Sequence, residues 1–179
     1  FSTLLWYHFV FIVISLAMLG WTMGGVSACR WLNSQQEPDP ESLRAQKTRI
    51  LDLLALALWG SVLFLYKTPF SDALLPVYIA LSSLPFILGG YYLSLVFKEG
   101  ARSSNSLYFA DLLGSALGSV LIVIWLDNYS LLRIGAALGL IPLLAASFNL
   151  QRVRYQAVSG IAAAALLLLT FTGGQVLDH

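Results

Sequence analysis

Charged residues are scarce in this sequence: Lys, Arg, Asp and Glu make up 11% of its 179 residues, against roughly 25% in an ordinary globular domain. Hydrophobic residues make up 58% and the mean hydropathy is +0.78. A soluble domain of this size keeps a large area in contact with water, and the polar side chains to cover it are missing here. A bilayer is the solvent that accepts such a surface. The net charge of +1 excludes a strongly basic nucleic-acid binder, and no basic patch with interleaved aromatics occurs, so no nucleic-acid partner is expected.

Cysteine is almost absent. The single Cys29 makes neither an internal disulfide nor a cysteine metal site, and beside Arg30 and Trp31 it reads as a membrane-interface residue without an activating partner. Also missing are a G-x-G-x-x-G turn after a strand, a phosphate loop, a metal-ligand cluster and a nucleophile elbow. No catalytic residue, metal site or cofactor site is therefore expected in this chain. The ends read as cut: Phe1 stands inside an apolar run without an initiator Met, and Gly173–His179 reads as the start of a loop. A signal peptide does not fit, because Phe9–Val26 is too long and has no basic region before it.

What remains is apolar helix. Crossing ~30 Å of hydrocarbon takes about 20 residues. The runs predict an all-α, polytopic transmembrane bundle of about six spans: Leu4–Ala28, Ile50–Tyr66, Ala73–Phe97, Leu107–Leu126, Leu131–Leu150 and Ala157–Gly173. Residues 29–49 form the only substantial polar loop, punctuated by Pro38 and Pro40. Within it, Asp39 followed by Pro40 predicts a capped surface helix leading into the second span. The other loops are short, which predicts that sequential helices are antiparallel neighbours.

Counting basic residues sets the orientation. The odd-numbered loops carry Arg30, Arg44, Lys47, Arg49, Lys98, Arg102, Arg152 and Arg154, and the even-numbered ones only Lys67 and Arg133. The odd-numbered loops are thus expected in the cytoplasm of a multi-pass inner-membrane protein, with both ends of the chain outside. Trp6, Tyr7, Trp31, Tyr66, Tyr108, Trp125, Tyr129 and Tyr155 stand near span ends, where amphipathic rings settle. The lipid bilayer is the one partner that composition implies; oligomeric state is not readable.

The fourth span is the most informative. Tyr108, Asp111, Gly114, Ser115, Gly118 and Ser119 share one narrow face at helical spacing. Its glycines suit close approach of a second backbone and its serines suit hydrogen bonds across the contact, so a packing seam is the plainer reading and a substrate-lining face the sharper one. Asp111 is a functional candidate as an ionisable group within a span. It lies near the cytoplasmic interface, with Arg102 or the Lys47/Arg49 pair as candidate counter-ions. Asp52 stands at a similar depth on the second span.

Ala17, Gly20, Gly24 and Ala28 on the first span, and Gly135 and Gly139 on the fifth, predict close helix crossings. Pro85 with Gly89 and Gly90 predicts a kink or loosening of the third, of the kind that lines sites in transporters. Pro142 is a lesser kink candidate. His8 is a proton-handling candidate, because imidazole changes charge near neutral pH; local hydrogen bonding at the interface is its ordinary role.

Three stretches carry a family resemblance. Trp6–Gly20 followed by Gly24-Gly25, then Leu84-Pro85-Phe86-Ile87-Leu88-Gly89-Gly90, then Leu107–Gly118, resemble in order and spacing the helices of bacterial membrane proteins related to spermidine synthase. The similarity covers most of Leu4–Leu126. It implies a helical membrane region that anchors a C-terminal Rossmann-like domain of the same polypeptide, with feeding of substrate to that domain as a further role. In soluble relatives that domain takes decarboxylated S-adenosylmethionine and transfers an aminopropyl group to an amine. Nothing here matches that domain, so an S-adenosylmethionine-type ligand belongs to it alone. With both ends outside, a cytoplasmic domain would require one further span. The residues alone leave two other functions open: a small-solute transporter using Pro85, Gly89 and Gly90 as a broken helix with Asp111 or Asp52 as its ion site, and a structural membrane subunit.

Overall fold

The computed structural model describes the backbone of residues 2–35, 39–68, 71, 74–129 and 131–149, and their side chains apart from 2–10, 131, 132, 136 and 147–149. Five α-helices account for almost all of it: α1 (Ser2–Ser34), α2 (Pro40–Lys67), α3 (Leu75–Glu99), α4 (Ser104–Asn128) and α5 (Leu131–Asn149). A 3-10 turn, Ala101–Ser103, joins α3 to α4, and no strand occurs among the described residues.

Four helices, α1 to α4, are long and apolar enough to cross a membrane. About six spans are not supported among the described residues. The fifth expected span is a helix of 19 residues with Pro142 inside it, and its apolar stretch Arg133–Ala146 falls short of span length. The sixth, Ala157–Gly173, lies outside the described residues.

The helices overrun the apolar windows because hydrophobicity marks where lipid lies, whereas caps mark where helix stops. α1 runs 33 residues, about 50 Å at 1.5 Å per residue, and ends at Ser34 rather than Ala28. The separate surface helix expected before the second span is instead the first turns of α2. Asp39 stands at its N-cap with extended backbone, Pro40 opens it, and Glu41 in the first turn and Lys67 in the last suit its macrodipole. Only residues 35–39 are left between α1 and α2, where a loop over 29–49 was expected.

The main packing partners are mostly not neighbours in sequence. α1 lies chiefly against α3, α2 against α5 and α3, while α4 meets α5 and the turn before it only slightly. Antiparallel neighbours in sequence therefore describe α2 and α3, but not the main contact of α1. The α1–α3 pair runs parallel, since Gly20 lies by Ser83 and Phe86, Gly24 by Ile87 and Tyr91, and Gly25 by Ser94. Gly24 is indispensable there: a Cβ at that position would stand 2.0 Å from the Ile87 carbonyl oxygen and 2.7 Å from the Tyr91 nitrogen. Gly90 does the same from the other side, with the Trp21 carbonyl oxygen 2.6 Å from where its Cβ would be. The expected crossing at Gly20, Gly24 and Ala28 is thus present, and Ala28 is fully buried.

The second crossing joins α2 and α5. Gly135 faces Val62 and Gly139 faces the Trp59 indole, with Ile134, Leu143 and Ala146 buried around them. Pro85 sits inside a continuous α3, and Gly90 serves the α1 contact, so the third helix is not broken at the expected place.

Candidate functional site

The expected seam is present as a face but has no companion among the described residues. Tyr108, Gly114, Ser115 and Gly118 are exposed on α4, Asp111 is half-buried, and no residue of α4 is buried. Among the described residues nothing lies within 4 Å of where a Cβ on Gly114 or Gly118 would stand. Ser119 donates its hydroxyl to the Ala116 carbonyl at 2.8 Å, within its own helix. Asp111 forms no ion pair or hydrogen bond among the described residues, and Lys47, one of its proposed counter-ions, is engaged elsewhere.

The secondary candidates are dispersed. Asp52 is half-buried on α2 without a polar partner among the described residues. Pro85 and Gly89 lie within α3, where the nearest group to a Cβ on Gly89 would be the Trp21 indole nitrogen, 3.9 Å away. His8 lies on α1, and its side chain is outside the described residues. Cys29 is free and exposed. No group of three or more His, Cys, Asp or Glu gathers among the described residues in a way that could hold a metal ion.

The polar contact that the structure does build was not among the candidates. Near the start of α2 and the end of α3, the buried Lys47 ammonium pairs with the Glu99 carboxylate, and the adjacent Gln46 donates through Nε2 to the Tyr91 hydroxyl, further back along α3, at 3.1 Å. At the opposite end of the same helix pair, the Phe64 and Tyr78 rings lie 5.5 Å apart at 57°. α2 and α3 are therefore clasped at both ends, and Tyr91 joins the clasp to the Gly24 crossing through its backbone. The sequence signal was present but ambiguous: Lys47 and Glu99 are 52 residues apart, and each reads locally as a solvated loop charge.

The pair is asymmetric. The Lys47 side chain is 9% exposed and that of Glu99 47%. Removing the carboxylate strands a buried ammonium, whereas removing the ammonium leaves a carboxylate that water still reaches. Glu99→Gln is accordingly expected to cost more than Lys47→Met. We place the losses at about 2 and about 1 kcal/mol, below the 3–5 kcal/mol of a fully buried pair. Unfolding in mixed micelles of the two single variants and the double variant measures both the order and the coupling; equal losses that simply add would show that the pair contributes nothing.

No protein-family model, curated protein or solved structure matches this chain.

Proposed function

We propose that this chain is the membrane module of a spermidine synthase-like protein, holding at the membrane a Rossmann-like domain of the aminopropyltransferase or methyltransferase type. Its odd-numbered loops face the cytoplasm. The observation that carries this reading is where the resemblance falls. Of the residues that carry it, Gly20, Gly24 and Gly90 make the closest backbone approaches of the α1–α3 pair, while no group of His, Cys, Asp or Glu able to hold a metal ion forms among the described residues. Residues of this kind specify a scaffold. Anchoring needs span-length helices that hold together and a surface that lipid accepts, and four such helices are present. The orientation is supported by the shared end of α1, α2, α3 and α4, where Arg30, Arg44, Lys47, Arg49, Lys98 and Arg102 gather.

The test is to read the gene around this sequence and assay the protein it encodes. The expected result is a downstream strand with a glycine-rich turn and a following acidic residue, together with membrane-bound transfer from decarboxylated S-adenosylmethionine to an amine. A reading frame with no such domain would contradict the proposal.

A further inference from the structure

At the basic end of the bundle, Arg30, Arg44, Arg49, Lys98 and Arg102 are exposed, and none of them forms an ion pair among the described residues. We propose that this band of cations binds the headgroups of anionic phospholipids, so that the bundle gathers a shell of such lipids in the leaflet at that end. This rests on the membrane reading above and on nothing about a further domain.

Depth comes first. The parallel α1–α3 pair brings the end of α1 to the end of α3, the Lys47–Glu99 pair brings the start of α2 to the same end, and the turn Ala101–Ser103 starts α4 there. Arg30 stands two residues beyond the apolar run that ends at Ala28, and Lys98 directly follows Phe97. Arg49 directly precedes Ile50, and Arg102 comes five residues before Leu107. The polar layer of a bilayer is roughly 5–8 Å deep on each side, so cations at these positions stand at headgroup depth. Arg44 lies about 9 Å before Ile50 along α2, within reach of the same layer on its long stem.

The second argument is what the acids do. Among the described residues Glu99 is the acid at this depth, and Lys47 already holds it. Asp52 and Asp111 lie inside the apolar runs instead. Asp39 and Glu41 stand at the tip of α2, with Glu41 about 14 Å beyond the start of the apolar run at Ile50. The band is therefore not neutralised from within the bundle. Orientation during insertion needs the positive charges alone, but once folded such a band repels itself until anions come to it. Anionic headgroups are the anions present at that depth, and they attract basic residues next to a span. Four of the five cations are arginines, whose planar fork matches two oxygens of a phosphate. An acidic protein surface would have to enter a layer that lipid already fills.

Spin-labelled lipids test this on the full chain reconstituted in phosphatidylcholine vesicles. The measurement compares how much labelled phosphatidylglycerol and how much labelled phosphatidylcholine the protein immobilises. One basic residue near the surface corresponds to about a fivefold change in association. The expected result is a preference for phosphatidylglycerol of about that size, at least halved in about 1 M salt. Combining Arg44→Gln, Arg49→Gln, Lys98→Gln and Arg102→Gln is expected to bring the preference below about twofold. Combining Lys67→Gln with Arg133→Gln, outside this band, is expected to leave it unchanged. Equal immobilisation of both lipids by the parent chain would overturn the proposal, whether or not any variant folds. Survival of the full preference in the four-residue variant, or its loss in the Lys67 and Arg133 variant, would overturn it too. A chain that immobilises both lipids equally still sits in lipid, so this proposal can fail while the membrane reading stands.

Discussion

Replacing Gly24 by alanine is expected to destabilise the bundle by about 2 kcal/mol or more, although alanine is the better helix former by roughly 1 kcal/mol. The added methyl would fall 2.0 Å from the Ile87 carbonyl oxygen and 3.0 Å from its carbon. These are backbone atoms of another helix, with no rotamer to change, so α1 and α3 must move apart. Doing so weakens their contact along its length and shifts Tyr91, whose hydroxyl receives the Gln46 hydrogen bond from α2. Gly60→Ala is the matched control, because nothing lies within 4 Å of its Cβ position. It is expected to gain up to about 1 kcal/mol from helix propensity alone. Reversible unfolding in mixed micelles compares the two; a Gly24→Ala protein as stable as the parent would mean that α1 and α3 do not meet as described.

The second large effect is expected at Trp59, and its size depends on the replacement. Trp59→Ala should cost about 3 kcal/mol or more, because the indole is 7% exposed and fills the space that Gly139 leaves on α5. Trp59→Phe should cost less than about 1 kcal/mol, since it keeps an aromatic body in the gap while removing a buried indole nitrogen that has no hydrogen-bond partner among the described residues. An unpaired buried donor contributes a desolvation cost and no compensating bond. The same unfolding measurement decides this, with fluorescence followed through the remaining tryptophans. A Trp59→Phe loss as large as that of Trp59→Ala would show that the indole nitrogen has a partner.

How much of this was legible in the sequence differs from element to element. The small-residue spacings on α1 and α5 announced close crossings, and both are present, because a four-residue repeat of small side chains makes a groove whatever fills it. The occupants were not legible. Nothing in Gly24 says that its partner is Ile87 on α3 rather than a residue of α2, and nothing in Gly139 names Trp59. Short connections argued for sequential neighbours, but α1 reaches past α2 to α3, where its glycine groove takes the surface around Gly90.

The candidate site was legible only as a face. Tyr108, Asp111, Gly114, Ser115 and Gly118 do line one side of α4, since helical spacing fixes that much. Whether a face becomes a site depends on what is brought against it, which periodicity does not encode. The Lys47–Glu99 pair shows the converse. Two charges that looked like loop residues meet because α2 starts at Pro40 and α3 continues to Glu99, beyond the apolar windows at both ends. The bounds of α2 followed from Asp39 and Pro40, which mark a helix start; its continuity into the span did not, because polar and apolar halves read as separate elements.

The central claim, a bundle of membrane-crossing helices with its basic loops on one side, is tested most directly by cysteine accessibility in sealed cells of a Cys29→Ser background. Single cysteines at Ser42 and Ser104, beside the basic ends of the helices, and at Ser71 and Tyr129, at the opposite ends, are treated with an impermeant maleimide. The account predicts labelling of positions 71 and 129 from outside, and of positions 42 and 104 only after the membrane is opened. Equal labelling of all four positions in sealed cells would contradict it.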